Sequence, residues 1–136
     1  MLMQAVKYEH WKMVPRSWGA WPWQYFTPRE MADRRTGELV TVYRFLDALN
    51  LVRSFYARPL HLTSAYRSPY GNALAGGKPR SMHLFGLAAD ISIIDQDKHL
   101  IHRLAKDQGG FTGFGFYRTF LHIDMGRPRF WGKWDA

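Results

Sequence analysis

A chain of 136 residues that is 46% apolar and 22% charged can bury a core as one domain, which excludes wholesale disorder. Its lack of cysteine excludes disulfides, thiolate zinc sites and cysteine nucleophiles, so histidine and carboxylate remain as metal ligands. Nineteen Lys and Arg against eleven Asp and Glu give a net charge of +8, which favours polyanionic partners such as nucleic acid, anionic lipid or wall polymers. The basic residues are dispersed, so charge alone chooses none of these, and a solvated basic surface explains it equally well.

The opening MLMQAVKYEHWKM lacks the apolar core of about 7 residues that a signal peptide needs, and no later stretch approaches the ~18 apolar residues of a membrane span. Residues 1–26 set Trp11, Trp18, Trp21 and Trp23 among Pro and Gly, which reads as an irregular aromatic extension wrapped over the core of a single domain spanning 1–136. Thr27-Pro28-Arg29-Glu30 predicts a short helix, with Thr27 as N-cap, Pro28 at the first helical position and Glu30 closing a capping box. From Leu39 to Tyr56, the positions Val42, Phe45, Leu49, Val52 and Tyr56 recur at three- and four-residue steps. Arg44, Asp47, Asn50 and Arg53 lie largely off that stripe, which predicts the main helix, ended by Pro59.

Leu60-His61-Leu62-Thr63-Ser64 alternates apolar and polar residues as a half-buried strand does. Ser68 to Arg80 is dense in Pro, Gly and Asn without periodicity and reads as a loop of functional length. Leu87 to Ile94 predicts a buried strand. Asp95 then caps a helix running to about Lys106, with Leu100, Ile101 and Leu104 inward and Gly109-Gly110 as its stop. Two more strands are expected at Phe111 to Tyr117 and Phe120 to Met125.

Chemistry concentrates in Ser81-Met82-His83, Asp90 seven residues on, and His122-Ile123-Asp124. A catalytic zinc takes three protein ligands and keeps a fourth position for water, and His83, Asp90 and His122 would supply such a set. Strand alternation aims His122 and Asp124 at one face. Singly, each residue has a plainer explanation: a polar loop histidine, a strand-end carboxylate, a satisfied core histidine. His61, His99 and His102 are poorer ligands, the last two being surface or flank residues of the predicted helix.

Ser64-Ala65-Tyr66-Arg67-Ser68, Ser81-Met82-His83-Leu84-Phe85-Gly86-Leu87-Ala88-Ala89-Asp90, Gly113-Phe114-Gly115-Phe116-Tyr117 and Leu121-His122-Ile123-Asp124 together resemble the zinc D-alanyl-D-alanine carboxypeptidase and murein endopeptidase family. Its relatives include phage endolysins and the metal-binding fold of the hedgehog signalling domain. The likeness runs from about Phe26 to Trp131. It implies that His83, Asp90 and His122 bind zinc, that Arg67 binds substrate, and that Ser81 is the serine beside the first ligand. A planar guanidinium suits a carboxylate or a developing oxyanion, which agrees with that role for Arg67. Tyr66 and Tyr117 are candidates to line the pocket, with aromatic packing as the alternative for each. The best-known branch carries an acid three positions before the last histidine, where this chain has Thr119. Asp124 is therefore the candidate proton-transfer residue, its alternatives being a carboxylate that orients His122 or an exchange of roles with it.

These features predict an α+β domain in which helices pack on a small, mainly antiparallel sheet carrying the zinc site. The resemblance implies a zinc peptidase acting on peptidoglycan stem peptides or cross-bridges; a monomer is expected, and the lack of a signal peptide fits a phage lysin freed by another protein's pore. A non-catalytic zinc module of hedgehog type is the alternative. A nucleic-acid-binding protein ranks lower, since no recognisable nucleic-acid motif accompanies the charge.

Overall fold

In the computed structural model, which describes residues 4–17 and 19–135, strand alternation divides the molecule into a packed face and a polar one. Trp18 and residues 1–3 of the N-terminal stretch lie outside the described residues. The stretch is not wholly irregular, because β1 (Ala5–Tyr8) pairs antiparallel with β2 (Leu39–Val42) as a separate two-stranded sheet. Beyond it Trp23 and Phe26 are buried, and the Trp23 indole donates to Asp47 Oδ1 at 2.8 Å.

The capping box at Thr27 forms as expected and opens α1 (Pro28–Met31). The main helix is shorter than its apolar stripe suggested. Leu39-Val40-Thr41-Val42 is rich in β-branched residues and joins β1, so α2 covers only Tyr43–Tyr56. Its end is set by Ala57, left-handed at φ 60°, whose N–H reaches the Arg53 carbonyl two residues ahead of Pro59.

The second sheet runs β3-β4-β6-β5-β7, from β3 (Leu62–Ser64), β4 (Ala88–Ser92), β5 (Gly113–Phe116), β6 (Phe120–Asp124) and β7 (Arg129–Gly132). It is mixed, not mainly antiparallel, because β7 enters beside β5 in parallel register, a strand that the short Arg129-Phe130-Trp131 segment did not announce. Two further expectations are corrected between these strands. The Ser68–Arg80 segment holds a helix, α3 (Pro69–Leu74), since the Ser68 hydroxyl accepts from Gly71 N–H and Pro69 occupies the first turn. Six residues are too few to show a period. The last helix, α4 (Lys98–Asp107), is capped by Asp97, while Asp95 sits at φ 57° in the turn before it.

Ala89 and Ile91 of β4, Leu121 and Ile123 of β6 and Phe114 of β5 face α2 and α4 in one core with Phe45, Leu46, Leu49, Ile101 and Phe111. Phe45 and Phe111 meet edge to face at 5.7 Å. Burying each of these larger side chains contributes about 1.5–3 kcal/mol, enough to fix the sheet's register. With the odd-numbered residues of β4 and β6 committed to that core, Asp90, His122 and Asp124 must take the opposite face. Among the described residues no helix is long and apolar enough to cross a membrane.

Candidate functional site

One cross-strand row traverses the sheet: Ser64 is paired with Asp90, Asp90 with His122, His122 with Gly115, and Gly115 with Trp131. Directly opposed residues share a face, so this row delivers a carboxylate and an imidazole side by side at its centre. His83 comes from outside the sheet. It lies on a 3-10 turn, Met82–Phe85, started by the Ser81 hydroxyl, which accepts from His83 N–H at 3.3 Å, and ended by Gly86 in left-handed conformation. Arg67 N–H donates to the His83 carbonyl at 3.0 Å and ties the turn to the end of β3. Ligating atoms of His83, Asp90 and His122 all lie within 4.8 Å of one another, and all three residues are buried.

The hydrogen-bond partners assign the tautomers. His83 Nδ1 is 2.6 Å from the Ala65 carbonyl, which can only accept, so Nδ1 carries the proton and Nε2 presents a lone pair. His122 Nε2 is 2.7 Å from Asp124 Oδ2 and donates to it, which leaves the lone pair on Nδ1. Those two lone pairs meet Asp90 Oδ1 at 3.2 Å and 2.9 Å. Three acceptors thus converge with no proton of their own between them, and a cation relieves that contact. A second proton on His122 would do the same: burial opposes it, but the bonds to Asp124 and Asp90 raise the imidazole pKa above its ordinary value. Burial likewise pushes the Asp90 carboxyl up, yet once the imidazoles are protonated their N–H bonds and charge outweigh it and hold the group well below the usual carboxylate range. Two imidazoles and one carboxylate fit a zinc ion by donor type.

Behind His122, Asp124 is fully buried and saturated. Besides the imidazole, it accepts from Gly126 N–H at 2.8 Å and from both terminal nitrogens of Arg129, at 2.7 and 2.8 Å. Burial works against its charge, but these donors keep its carboxyl well below the ordinary range. Glycine at 113 and at 115 makes this possible. A Cβ at Gly113 would collide with the Asp124 carboxylate and the Arg129 guanidinium, and one at Gly115 would come within 2.6 Å of the Trp131 indole. Across that opening Trp131 packs on His122 with ring centroids 5.1 Å apart.

Arg67 is brought to the cluster, its Nη2 3.4 Å from Asp90 Oδ2 and its Nε donating to the Ser64 hydroxyl at 3.0 Å. Tyr117 joins it at one remove, because its hydroxyl accepts from Trp131 Nε1 at 2.8 Å. Tyr66 does not. Its phenol is buried, and burial first, then the charges of Glu38 and Asp33, raise its pKa. Thr119 is exposed, and its carbonyl accepts from Ile93 N–H. His61 and His99 are exposed and apart from the cluster, whereas His102 is half-buried against Phe114 and Phe116. Sequence reasoning missed Arg129 and Trp131 and gave the quoted Gly113 and Gly115 no role. Gly113-x-Gly115 carried a signal, since period two puts the pair on one face, whereas Arg129 and Trp131 lie on a strand that forms only by docking beside β5.

The family model described as Peptidase M15 matches residues 24–124, which include Arg67, Ser81, His83, Asp90, His122 and Asp124. No curated protein matches the chain at a significant level.

Proposed function

The chain belongs to the peptidase M15 family, a family of metallopeptidases, and from that membership we propose that it is a zinc-dependent peptidase hydrolysing peptidoglycan stem-peptide or cross-bridge bonds. The observation that carries this reading is the convergence of His83 Nε2, Asp90 Oδ1 and His122 Nδ1 as three lone-pair donors on one buried spot. These residues would hold the zinc. When bound, zinc supplies Lewis-acid polarisation of the scissile carbonyl and activation of water.

The chain's own groups do the rest. Arg67 offers free N–H donors beside the cluster to a substrate carboxylate or to a carbonyl oxygen gaining charge. Ser81 fixes the turn that presents His83. Trp131 and Tyr117 make an aromatic wall against which a peptide can lie. To Asp124 we give the orienting role instead of the proton-transfer role, because its oxygens are engaged by three protein donors and His122. The net charge of +8 suits the anionic wall polymer that a lysin must approach.

That same saturation of Asp124, with Thr119 where an acid would stand, favours one alternative: a zinc module that binds a partner without turnover. Digestion of purified murein, followed by mass spectrometry with and without chelator, separates the two. Release of peptide fragments that stops with chelator supports the peptidase; zinc retained at one equivalent with no release, even at high protein concentration, supports the module.

A further inference from the structure

On the side of Arg67 away from the cluster's own residues lies a cavity of about 360 Å³, lined by Arg34, Arg35, Arg67, Thr63, Ser64 and Asp33 among others. Resting on the peptidase reading, we infer that this cavity binds a second carboxylate of the substrate, so that the protein selects stem peptides whose side-branch carboxyl groups are free over those in which they are amidated. Its volume is at the lower end of the ~300–1,000 Å³ typical of ligand pockets, which suits one residue of a peptide and not a whole glycopeptide.

Three arginines line the cavity, and among the described residues only one of them is paired with a carboxylate. Arg67 contacts Asp90, but among the described residues neither Arg34 nor Arg35 forms an ion pair. Each is instead pinned by backbone carbonyls: Arg34 Nη2 donates to Leu62 at 2.9 Å, and Arg35 Nη1 donates to Gly71 at 3.3 Å. Anchored in this way, the forks keep further N–H donors free for an anion and lose less rotamer entropy on binding it. The one carboxylate in the lining, Asp33, offsets one of the three positive charges and has its oxygens engaged by the loop. It accepts from the N–H groups of Arg35, Thr36 and Ser68 and from the Ser68 hydroxyl, and is only 4% exposed. Its charge holds the loop together, and the cavity keeps an excess of positive charge. Arg67 belongs to both places, with Nη2 toward Asp90 and Nε on Ser64, so it links the cavity to the cluster.

Two stem peptides identical except for amidation of the side-branch carboxyl groups test this with the zinc-loaded full chain. The free acid is expected to show a KM at least ~10-fold below that of the amide with similar kcat, as one charge-assisted contact of about 1.4 kcal/mol would give. Arg34→Gln and Arg35→Gln should each raise KM for the free acid alone, with the amide unaffected as an internal check on folding. Equal KM for the two peptides, or a preference that survives Arg34→Gln/Arg35→Gln together, overturns the inference. Should neither peptide be cleaved, the peptidase reading fails by itself, and calorimetry on the same zinc-loaded protein still decides the cavity. Tighter binding of the free acid, lost in the double variant, supports it; equal binding of both peptides refutes it.

Discussion

Arg129 grips Asp124 through both terminal nitrogens, Nη1 to Oδ1 at 2.7 Å and Nη2 to Oδ2 at 2.8 Å, across a gap that only a glycine at 113 leaves open. Asp124 has no exposed surface, so removing its partner strands a charge in the sheet face. Arg129→Met should destabilise the fold by about 3 kcal/mol, and Arg129→Lys should recover only part of this, because an ammonium cannot make the paired contact. Urea unfolding of the zinc-free protein measures both. An unchanged midpoint for Arg129→Met would show that the carboxylate is not held as a charge.

Asp124→Asn separates the orienting role from proton transfer. Loss of a carboxylate behind a ligating histidine typically weakens metal affinity 10- to 100-fold, so zinc titration should show a drop of about that size. Hydrolysis should return toward the native rate once zinc is saturating. Abolished turnover at full zinc occupancy would instead assign the proton-transfer role to Asp124.

Enlarging Gly115 tests the aromatic wall. A Cβ there meets the Trp131 indole, so Gly115→Ala must displace Trp131 from His122. Trp131 fluorescence should shift and KM rise, while zinc stoichiometry stays at one because no ligand atom has moved. Unaltered KM would remove Trp131 from the substrate path.

Zinc should act as a clasp between the Met82–Phe85 turn, β4 and β6. At a free concentration about 1,000-fold above Kd it adds about 4 kcal/mol, visible as a melting temperature that falls on chelation. His83→Ala and His122→Ala should each abolish that difference. A zinc-dependent shift that persists in either variant would mean that the metal sits elsewhere.

His102 supplies a pH dependence remote from the metal. Burial among Phe114, Phe116 and Trp134, assisted by Lys106 and His99 and opposed by Asp107, lowers its pKa below 6.5. A histidine depressed in the fold binds fewer protons than in the unfolded chain between those two pKa values. Its contribution is therefore complete above pH 6.5 and lost as pH falls toward the folded value. His102→Gln should flatten the slope of melting temperature as pH falls below about 6.5. An identical slope in both proteins would place the dependence on another group.

What could be read before the fold was known follows from how local each signal is. Asp90 and His122 were identifiable because they sit in short ordered motifs, Ser-x-His-x6-Asp and His-x-Asp, that carry the family resemblance, and Thr27 and Glu30 because a capping box is contained in four residues. The β7 strand was hidden since Arg129, Phe130 and Trp131 become a strand only by docking beside β5, more than a dozen residues earlier in the chain. Likewise Leu39–Val42 satisfies a helical period and a strand period together, and only its pairing with Ala5–Tyr8 decides between them. Asp124 shows the same limit: two residues past His122 it could orient or react, and Arg129, invisible in the local pattern, fills the space that a reacting group would need.

The parallel strand β7 also bears on how the molecule can be cut down. The family match stops at Asp124, so a fragment trimmed there would carry His83, Asp90 and His122 intact and look complete by its ligands. It would nevertheless lack the guanidinium that neutralises the buried carboxylate behind His122 and the indole that shields the ring. The ligands would then be present in such a fragment without the frame that aims them.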